Sequence, residues 1–189
     1  MIIGLTGSLG AGKDTILEYL ESQGFNYFTF SNILREEAKN RNMELTRKNL
    51  QDLGNNLRKK HGAGILAQRL LQKINLKERN IVNGIRNPAE IEELKKNNSF
   101  FLVAVDAPAQ LRFSRLVSRD REMDPKTWEE FLKVEARDKG EGEKEHGQQV
   151  AACMEMADFN ICNDGDIGAV HEQIKKILGQ IQDIIIQNS

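Results

Sequence analysis

Short apolar runs alternate with longer amphipathic segments along this chain. The apolar runs cover residues 1–6, 25–30, 79–85, 100–105 and 159–162. Turn residues follow each run, and segments with apolar residues at helical spacing come after them, as at Ile16, Leu17 and Leu20. Strands that alternate with helices form βαβ units, whose parallel sheet is covered on both faces. The pattern predicts a three-layer α/β fold with five mostly parallel strands and helices on both faces.

Residues 119–147 interrupt this alternation with a charged stretch. It contains Asp124-Pro125, a helical pattern near residues 126–139 and then Gly140-Glu141-Gly142. This shift in composition predicts a small lid at 119–147 within a single domain that spans residues 1–189. Trp128 and Phe131 are expected to form the packing face of the lid helix.

Charge and cysteine content narrow the possible partners. The formal net charge is −1, so a nucleic-acid or anionic membrane partner is not implied. No apolar stretch approaches the roughly 20 residues of a membrane span. The two cysteines, Cys153 and Cys162, lack a second metal-type pair, which indicates reduced thiols and a cytoplasmic location. A monomer and a homodimer both remain open.

The loop between the first strand and the first helix carries the strongest chemical signal. Its sequence is Gly7-Ser8-Leu9-Gly10-Ala11-Gly12-Lys13-Asp14-Thr15, with the Gly-x4-Gly-Lys spacing of a phosphate-binding P-loop. The glycines allow backbone N–H groups to point inward, and the following helix adds the positive end of its dipole. ATP is therefore predicted to bind to Gly7 and to the residues from Leu9 to Thr15. Lys13 is expected to reach its β- and γ-phosphates.

A metal ion is expected beside this loop. Asp14 occupies the position where a P-loop normally has the Ser or Thr that binds Mg2+. A carboxylate beside phosphates needs a cation between them, so Asp14 either faces Mg2+ or turns away as a first-turn acid. Thr15 is the competing ligand. Asp106, at the end of an apolar strand, either binds the waters of Mg2+ or caps the next helix.

Arginines are expected to surround a transferred phosphoryl group, because phosphoryl transfer depends on positioning and charge neutralisation. Arg119, Arg121 and Arg137 are the catalytic candidates beside Lys13. Arg115 and Arg119 share one helical face, whereas Arg112 is interpreted as part of a solvated, charged helix face.

A second group of residues is expected to bind the acceptor. Arg35 and Arg86 each follow a strand by a few residues, as do Ser31 and Gly84, and polar helices within residues 31–75 are expected to line the pocket. Arg58 is either an acceptor contact or part of a solvated basic face. Asn163 and Gly165 lie in a turn that either borders an adenine ring or only joins strand to helix. Asn83 stands where an acid would polarise the acceptor or hold metal, which an amide cannot do as a base.

Several of these segments resemble P-loop nucleoside monophosphate kinases. The segment from Phe30 to Arg35 resembles the Thr-Gly-Asp-x-Leu-Arg segment of adenylate kinases, whose arginine holds the acceptor phosphate. Asn83-Gly84-Ile85-Arg86 is similar to their Asp-Gly-x-x-Arg strand end, although Asn83 replaces the usual Asp. Arg115-Leu116-Val117-Ser118-Arg119 matches their Arg-Leu-x-x-Arg entry to the lid.

Other segments resemble relatives of those kinases. The stretches 103–108 and 157–165 look like dephospho-coenzyme A kinases, and Gly12-Lys13-Asp14-Thr15 resembles the P-loop of phage-type deoxynucleoside monophosphate kinases. The lid lacks the four-cysteine zinc pattern of some adenylate kinases.

The resemblance implies a P-loop NTPase fold and an ATP- and Mg2+-dependent kinase that phosphorylates a small nucleotide-type acceptor. A (deoxy)nucleoside monophosphate is the first candidate for the acceptor, and dephospho-coenzyme A is the alternative. A P-loop NTPase switch, or a nucleotide-binding module without an acceptor, is the alternative of another class.

Overall fold

The computed structural model describes residues 1–120 and 124–187. Within them, five parallel strands form one sheet in the order β2-β3-β1-β4-β5. The strands are β1 (Ile2–Gly7), β2 (Asn26–Thr29), β3 (Asn80–Asn83), β4 (Phe100–Asp106) and β5 (Phe159–Cys162). The predicted α/β fold is confirmed, and all the described pairings are parallel.

Helices connect the strands and cover the sheet. They are α1 (Lys13–Ser22), α2 (Phe30–Asn40), α3 (Arg47–His61), α4 (Ile65–Leu71), α5 (Pro88–Lys95), α6 (Ala109–Arg119), α7 (Trp128–Lys139), α8 (Val150–Glu155) and α9 (Ile167–Gln187). Within residues 1–120 and 124–187, no helix is both long enough and apolar enough to cross a membrane.

The core forms two layers because successive side chains of a strand point to opposite faces of the sheet. On one face, Ile3 and Leu5 of β1 pack in a cluster with residues of α1 and α9, including Ile174. On the other face, Ile2 and Val82 belong to a cluster built with α2 to α5. Because β1, β3 and β4 are parallel, their carboxyl ends meet at one edge of the sheet. Ligands bind at this edge in such folds.

The sequence suggests Ser31 as the N-cap of α2, Thr46 as the N-cap of α3 and Pro108 in the first turn of α6. Thr29, and not Ser31, caps α2, because the Thr29 Oγ1 accepts a hydrogen bond from the Ser31 amide at 3.2 Å. Pro108 is the N-cap residue of α6 rather than part of its first turn. The expected cap at Thr46 is confirmed, since its hydroxyl accepts from the Asn49 amide at 3.2 Å.

The helix expected in the lid, α7, packs firmly against α6. Phe131 is fully buried and lies 5.1 Å from the Trp128 ring and 5.6 Å from the Phe113 ring, centroid to centroid. Arg112 of α6 pairs with Glu135 of α7 at 2.5 Å. The packing role of Trp128 and Phe131 is confirmed, whereas movement of the segment as a lid stays a prediction.

Candidate active site

The loop after β1 is shaped by the structure behind it. Gly10 and Gly12 have φ angles of 77° and 85°, in the region that favours glycine. A Cβ on Gly10 would lie 2.6 Å from the Arg112 carbonyl oxygen, and one on Gly12 would lie 2.2 Å from Asn163 Nδ2. A side chain at either position would clash with the rest of the protein, so the close packing behind the loop requires glycine at both.

Three side chains hold this loop from behind. Asn163 Nδ2 donates to the Ala11 carbonyl at 2.8 Å, and Arg115 donates to the Asn163 carbonyl at 3.0 Å. Arg112 donates to the Leu9 carbonyl at 3.2 Å and is buried, so its expected place on a solvated helix face is wrong. Asn163, expected at an adenine ring, thus contacts the back of the loop. Gly165 lies in the turn that follows.

Lys13 folds back over the loop. Its ammonium group donates to the carbonyl oxygens of Gly7 at 2.7 Å and Ser8 at 2.9 Å. Burial lowers the pKa of Lys13 to about 8, with a further lowering by Arg86 that Asp138 and Asp14 partly offset. A polyanion in this place would add negative charge beside the ammonium and favour its protonated form.

Two cavities adjoin at the carboxyl edge of the sheet. The first, of about 170 Å3, contains the P-loop residues from Gly10 to Asp14, and we call it the P-loop cavity. The second, of about 310 Å3, lies between α2, α3 and the loop after β3, and we call it the helix cavity. The residues that line both are Leu9, Ser31, Gly84, Arg86 and Arg119. These five residues would therefore border a group bound in either cavity.

The oxygen atoms expected to serve Mg2+ are unevenly placed. Asp14 is exposed and lines the P-loop cavity together with Asn83, whereas the described lining includes neither Thr15 nor Asp106. The Asp106 Oδ1 accepts from the Ala107 amide at 2.9 Å, and it lies 3.5 Å from Arg112 Nε. A carboxylate and an amide oxygen at the phosphate cradle fit a hard cation.

The three catalytic arginines expected from the sequence differ in placement. Arg119 lines both cavities and donates two hydrogen bonds to Asp124, of 2.5 and 2.9 Å, which raise its pKa. Arg137 points elsewhere in this conformation, because it donates to Glu143 at 2.8 Å and lines neither cavity within the described chain. Arg121 lies outside the described residues.

The arginines expected to hold the acceptor reach the helix cavity. Arg35 is exposed there and makes no hydrogen bond or ion pair with the described residues. Arg86 lines both cavities and donates to Gln148 Oε1 at 3.1 Å. Ser31 and Gly84 stand at the junction of the two cavities, as expected for residues at strand ends.

Arg58 lines the helix cavity, but its guanidinium is buried in an ion pair, so the alternative of a solvated basic face is wrong. Its contact with an acceptor stays a prediction. Its Nε and Nη2 donate to Glu90 Oε1 at 3.0 and 2.7 Å. The other carboxylate oxygen of Glu90 accepts from the amides of Arg86 and Asn87 at 3.0 and 3.1 Å. Glu90 has no exposed surface, so this pair joins α3 to the loop that carries Arg86.

Two acidic residues at the site, Glu90 and Asp138, were not predicted from the sequence. The spacing Asn87-x-x-Glu90 is that of a capping box, and the structure contains one, but that motif does not reveal Arg58. Asp138 is only 5% exposed and lines the P-loop cavity. Its Oδ1 lies 3.5 Å from Arg86 Nη1. Nothing in the local pattern of α7 distinguishes this acid from its solvated neighbours.

Comparison with known proteins identifies relatives over nearly the whole chain. A family model described as an AAA domain, AAA_18, matches residues 3–141. A UPF0200 protein of Pyrococcus horikoshii is 33% identical over 188 residues, which cover 96% of this chain and 97% of that protein. A UPF0200/UPF0201 protein of Archaeoglobus fulgidus is 36% identical over 183 residues, 94% of this chain, but the match spans only 54% of that longer relative.

Solved structures with the same fold include several kinases. TT1252 from Thermus thermophilus has a TM-score of 0.65 at 18% identity, with 95% of this chain and 97% of that chain covered. A shikimate kinase from Aquifex aeolicus has a TM-score of 0.56 at 16% identity, with 98% and 99% covered. A gluconokinase from Sinorhizobium meliloti has a TM-score of 0.57 at 11% identity, with 99% and 97% covered.

These neighbours confirm the P-loop kinase-like fold that the motifs predicted. The identities are too low to show more than the fold. The family assignment rests instead on the match over residues 3–141 and on the curated relatives. The chain belongs to the AAA_18 family of AAA domains and to the UPF0200 proteins.

Proposed function

We propose that this protein is an ATP- and Mg2+-dependent phosphotransferase that transfers the γ-phosphoryl group of ATP to a small nucleotide-type acceptor. The observation that carries the proposal is the pair of adjoining cavities with a shared wall. A phosphate cradle lies on one side, a cavity of ligand size lies on the other, and Arg86 and Arg119 border both. The fold neighbours named as shikimate kinase and gluconokinase support the same class of reaction.

The P-loop side supplies the donor site. The inward N–H groups of the loop and the start of α1 form a positive concavity for phosphate oxygens. Lys13 adds an ammonium that exchanges its contacts with the Gly7 and Ser8 carbonyls for phosphate oxygens. Arg115 and Asn163 keep the loop in this shape from behind.

Charge neutralisation is the main task of the remaining residues. Mg2+, when bound, would neutralise phosphate charge, with Asp14 and Asn83 as the side chains placed to hold it or its waters. Arg119 is positioned at the cavity junction by Asp124, so its guanidinium is oriented before substrates arrive. Preorganised charge of this kind costs no reorganisation during the reaction. Closure of residues 119–147 would exclude water, with Arg121 and Arg137 as additional cations.

The helix cavity supplies the acceptor site. Its apolar wall is formed by Phe30, Leu34, Leu50 and Leu66, and Arg35 and Arg86 provide positive charge. An acceptor with an anionic group and an apolar or planar body fits this lining. A (deoxy)nucleoside monophosphate and dephospho-coenzyme A are the two candidates, and the buried carboxylate at Asp138 favours the second for the reason argued below.

A coupled assay that measures ADP release tests this function. We expect turnover from ATP with at least one acceptor in a panel of nucleoside monophosphates and dephospho-coenzyme A. Lys13→Ala is expected to abolish it, whereas Lys77→Ala, an exposed lysine outside both cavities, should leave it unchanged. Tight ATP binding without acceptor turnover would refute the kinase proposal, and ATP hydrolysis indifferent to every acceptor would favour an NTPase switch.

A further inference from the structure

Asp138 places a carboxylate inside the cavity that is proposed to hold the phosphates. It is nearly buried, and the other charged residues that line this cavity are Lys13, Asp14, Arg86 and Arg119. Arg86 pairs with this carboxylate, since its Nη1 lies 3.5 Å from Asp138 Oδ1. The carboxylate shares this cavity with Lys13, and its charge opposes the lowering of the pKa of that ammonium. An acid here needs an explanation, because it repels the phosphates that the cavity attracts.

The identity of the nucleophile supplies that explanation. A phosphate oxygen is already ionised at neutral pH, so it needs no base, and a neighbouring carboxylate would repel it. A hydroxyl group is neutral, so it can approach Asp138 and donate a hydrogen bond. It must also lose a proton during the reaction, and a carboxylate positioned within reach is the group that accepts it.

We propose that the acceptor attacks through a hydroxyl group and that Asp138 accepts the proton of that hydroxyl. This inference rests on the phosphotransferase function proposed above. A bond forms between the acceptor oxygen and the γ-phosphorus, and the bond from that phosphorus to the β,γ-bridging oxygen breaks. The hydroxyl proton passes to Asp138, and the bridging electron pair leaves with ADP. The products are ADP, a phosphate monoester and a protonated Asp138, which returns its proton to solvent.

The same geometry narrows the acceptor class. Arg35 and Arg86 bring positive charge to the helix cavity, so the acceptor carries its own phosphate or another anionic group. It also carries a free hydroxyl that reaches the junction near Arg86 and Asp138. Of the two candidates above, dephospho-coenzyme A reacts through a hydroxyl, whereas a nucleoside monophosphate that is converted to a diphosphate does not.

The type of phosphate bond in the product distinguishes an acceptor that reacts through a hydroxyl from one that reacts through a phosphate oxygen. The protein is incubated with ATP and Mg2+ and, separately, with adenosine 5′-monophosphate or dephospho-coenzyme A, and the products are analysed by 31P NMR. A new phosphate monoester gives a signal without 31P–31P coupling, which is the expected result. A diphosphate product gives coupled signals; it would overturn this inference and leave the phosphotransferase function intact. No product with either acceptor would count against both proposals.

Asp138→Asn tests the role of the carboxylate, because the amide keeps the size of the side chain and cannot accept the proton. We expect kcat to fall by about 100-fold or more while KM for the acceptor changes little. Asp183→Asn, the same change at an exposed position on α9, serves as the matched control and should leave kcat unchanged. If Asp138→Asn instead raises KM and preserves kcat, Asp138 only orients Arg86 and the inference is wrong.

Discussion

The charge of Lys13 should make ATP binding depend on pH in a range where few other groups titrate. Its pKa is lowered to about 8 by burial and by Arg86, so the ammonium is partly lost just above neutral pH. The direction of the change in ATP affinity follows from the positive charge that phosphate requires. Binding needs the protonated form, so affinity is retained below this pKa and falls as the pH rises through it.

The size of the effect follows from the fraction of Lys13 that is protonated. With a pKa of about 8, that fraction falls from about three quarters at pH ~7.5 to about one tenth at pH ~9. The apparent Kd for ATP should therefore rise about eightfold between these values, which corresponds to about 1.2 kcal/mol. The phosphates of ATP are already ionised throughout this interval, so the ligand itself contributes little.

Isothermal titration calorimetry with Mg2+ and ATP at several pH values measures this change. Lys13→Arg is the control, because a guanidinium stays charged over the whole interval and its affinity should be flat. Wild-type affinity that is equally flat would refute the assignment of the lowered pKa to the phosphate-binding group. An equal fall in Lys13→Arg would assign the titration to another residue.

Three substitutions test other parts of the site. Glu90→Gln removes the charge that pairs with buried Arg58, so the free energy of unfolding should fall by about 3–5 kcal/mol in urea titrations. Gly12→Ala places a Cβ 2.2 Å from Asn163 Nδ2 at a φ of 85°, so both ATP affinity and the melting temperature should fall. Arg35→Ala removes a cation from the helix cavity, so steady-state kinetics should show a higher KM for the acceptor and an unchanged KM for ATP.

Each of these has a matched control and a contradicting outcome. Glu37→Gln, in a partly exposed pair, should cost about 1 kcal/mol or less, and an equal loss at Glu90 would contradict its buried role. Adding Asn163→Ala to Gly12→Ala should restore little if the φ angle dominates, and full rescue would show that the clash alone matters. Arg41→Ala on the solvent side should leave both KM values unchanged, and a loss of ATP affinity in Arg35→Ala would place Arg35 at the donor.

The sheet could be predicted because its information is local. Most strands contain a short apolar run, and the predicted run at 159–162 coincides with β5. The P-loop was equally accessible, because its spacing encodes both the turn and the cradle. Boundaries such as the cap of α2 were wrong because Thr29 and Ser31 are both good capping residues, and only the backbone decides between them.

The parts of the site that depend on distant pairing could not be predicted. Arg58 and Glu90 lie 32 positions apart, and neither has a local signal that it is buried. Asp138 is one acid among many on α7, and its approach to the P-loop depends on how Phe131 and Glu135 seat that helix against α6. Such placements follow from tertiary packing, which hydrophobic periodicity does not encode.

The carboxylate of Glu90 has a consequence for any attempt to change the acceptor preference. It accepts four hydrogen bonds, two from Arg58 on α3 and two from the backbone at Arg86 and Asn87. A library on α3 that varies position 58 alone would therefore also disturb the loop that carries Arg86. Positions 58 and 90 have to be exchanged together, as a charged pair or as a well-packed apolar pair, if the rest of the pocket is to keep its shape.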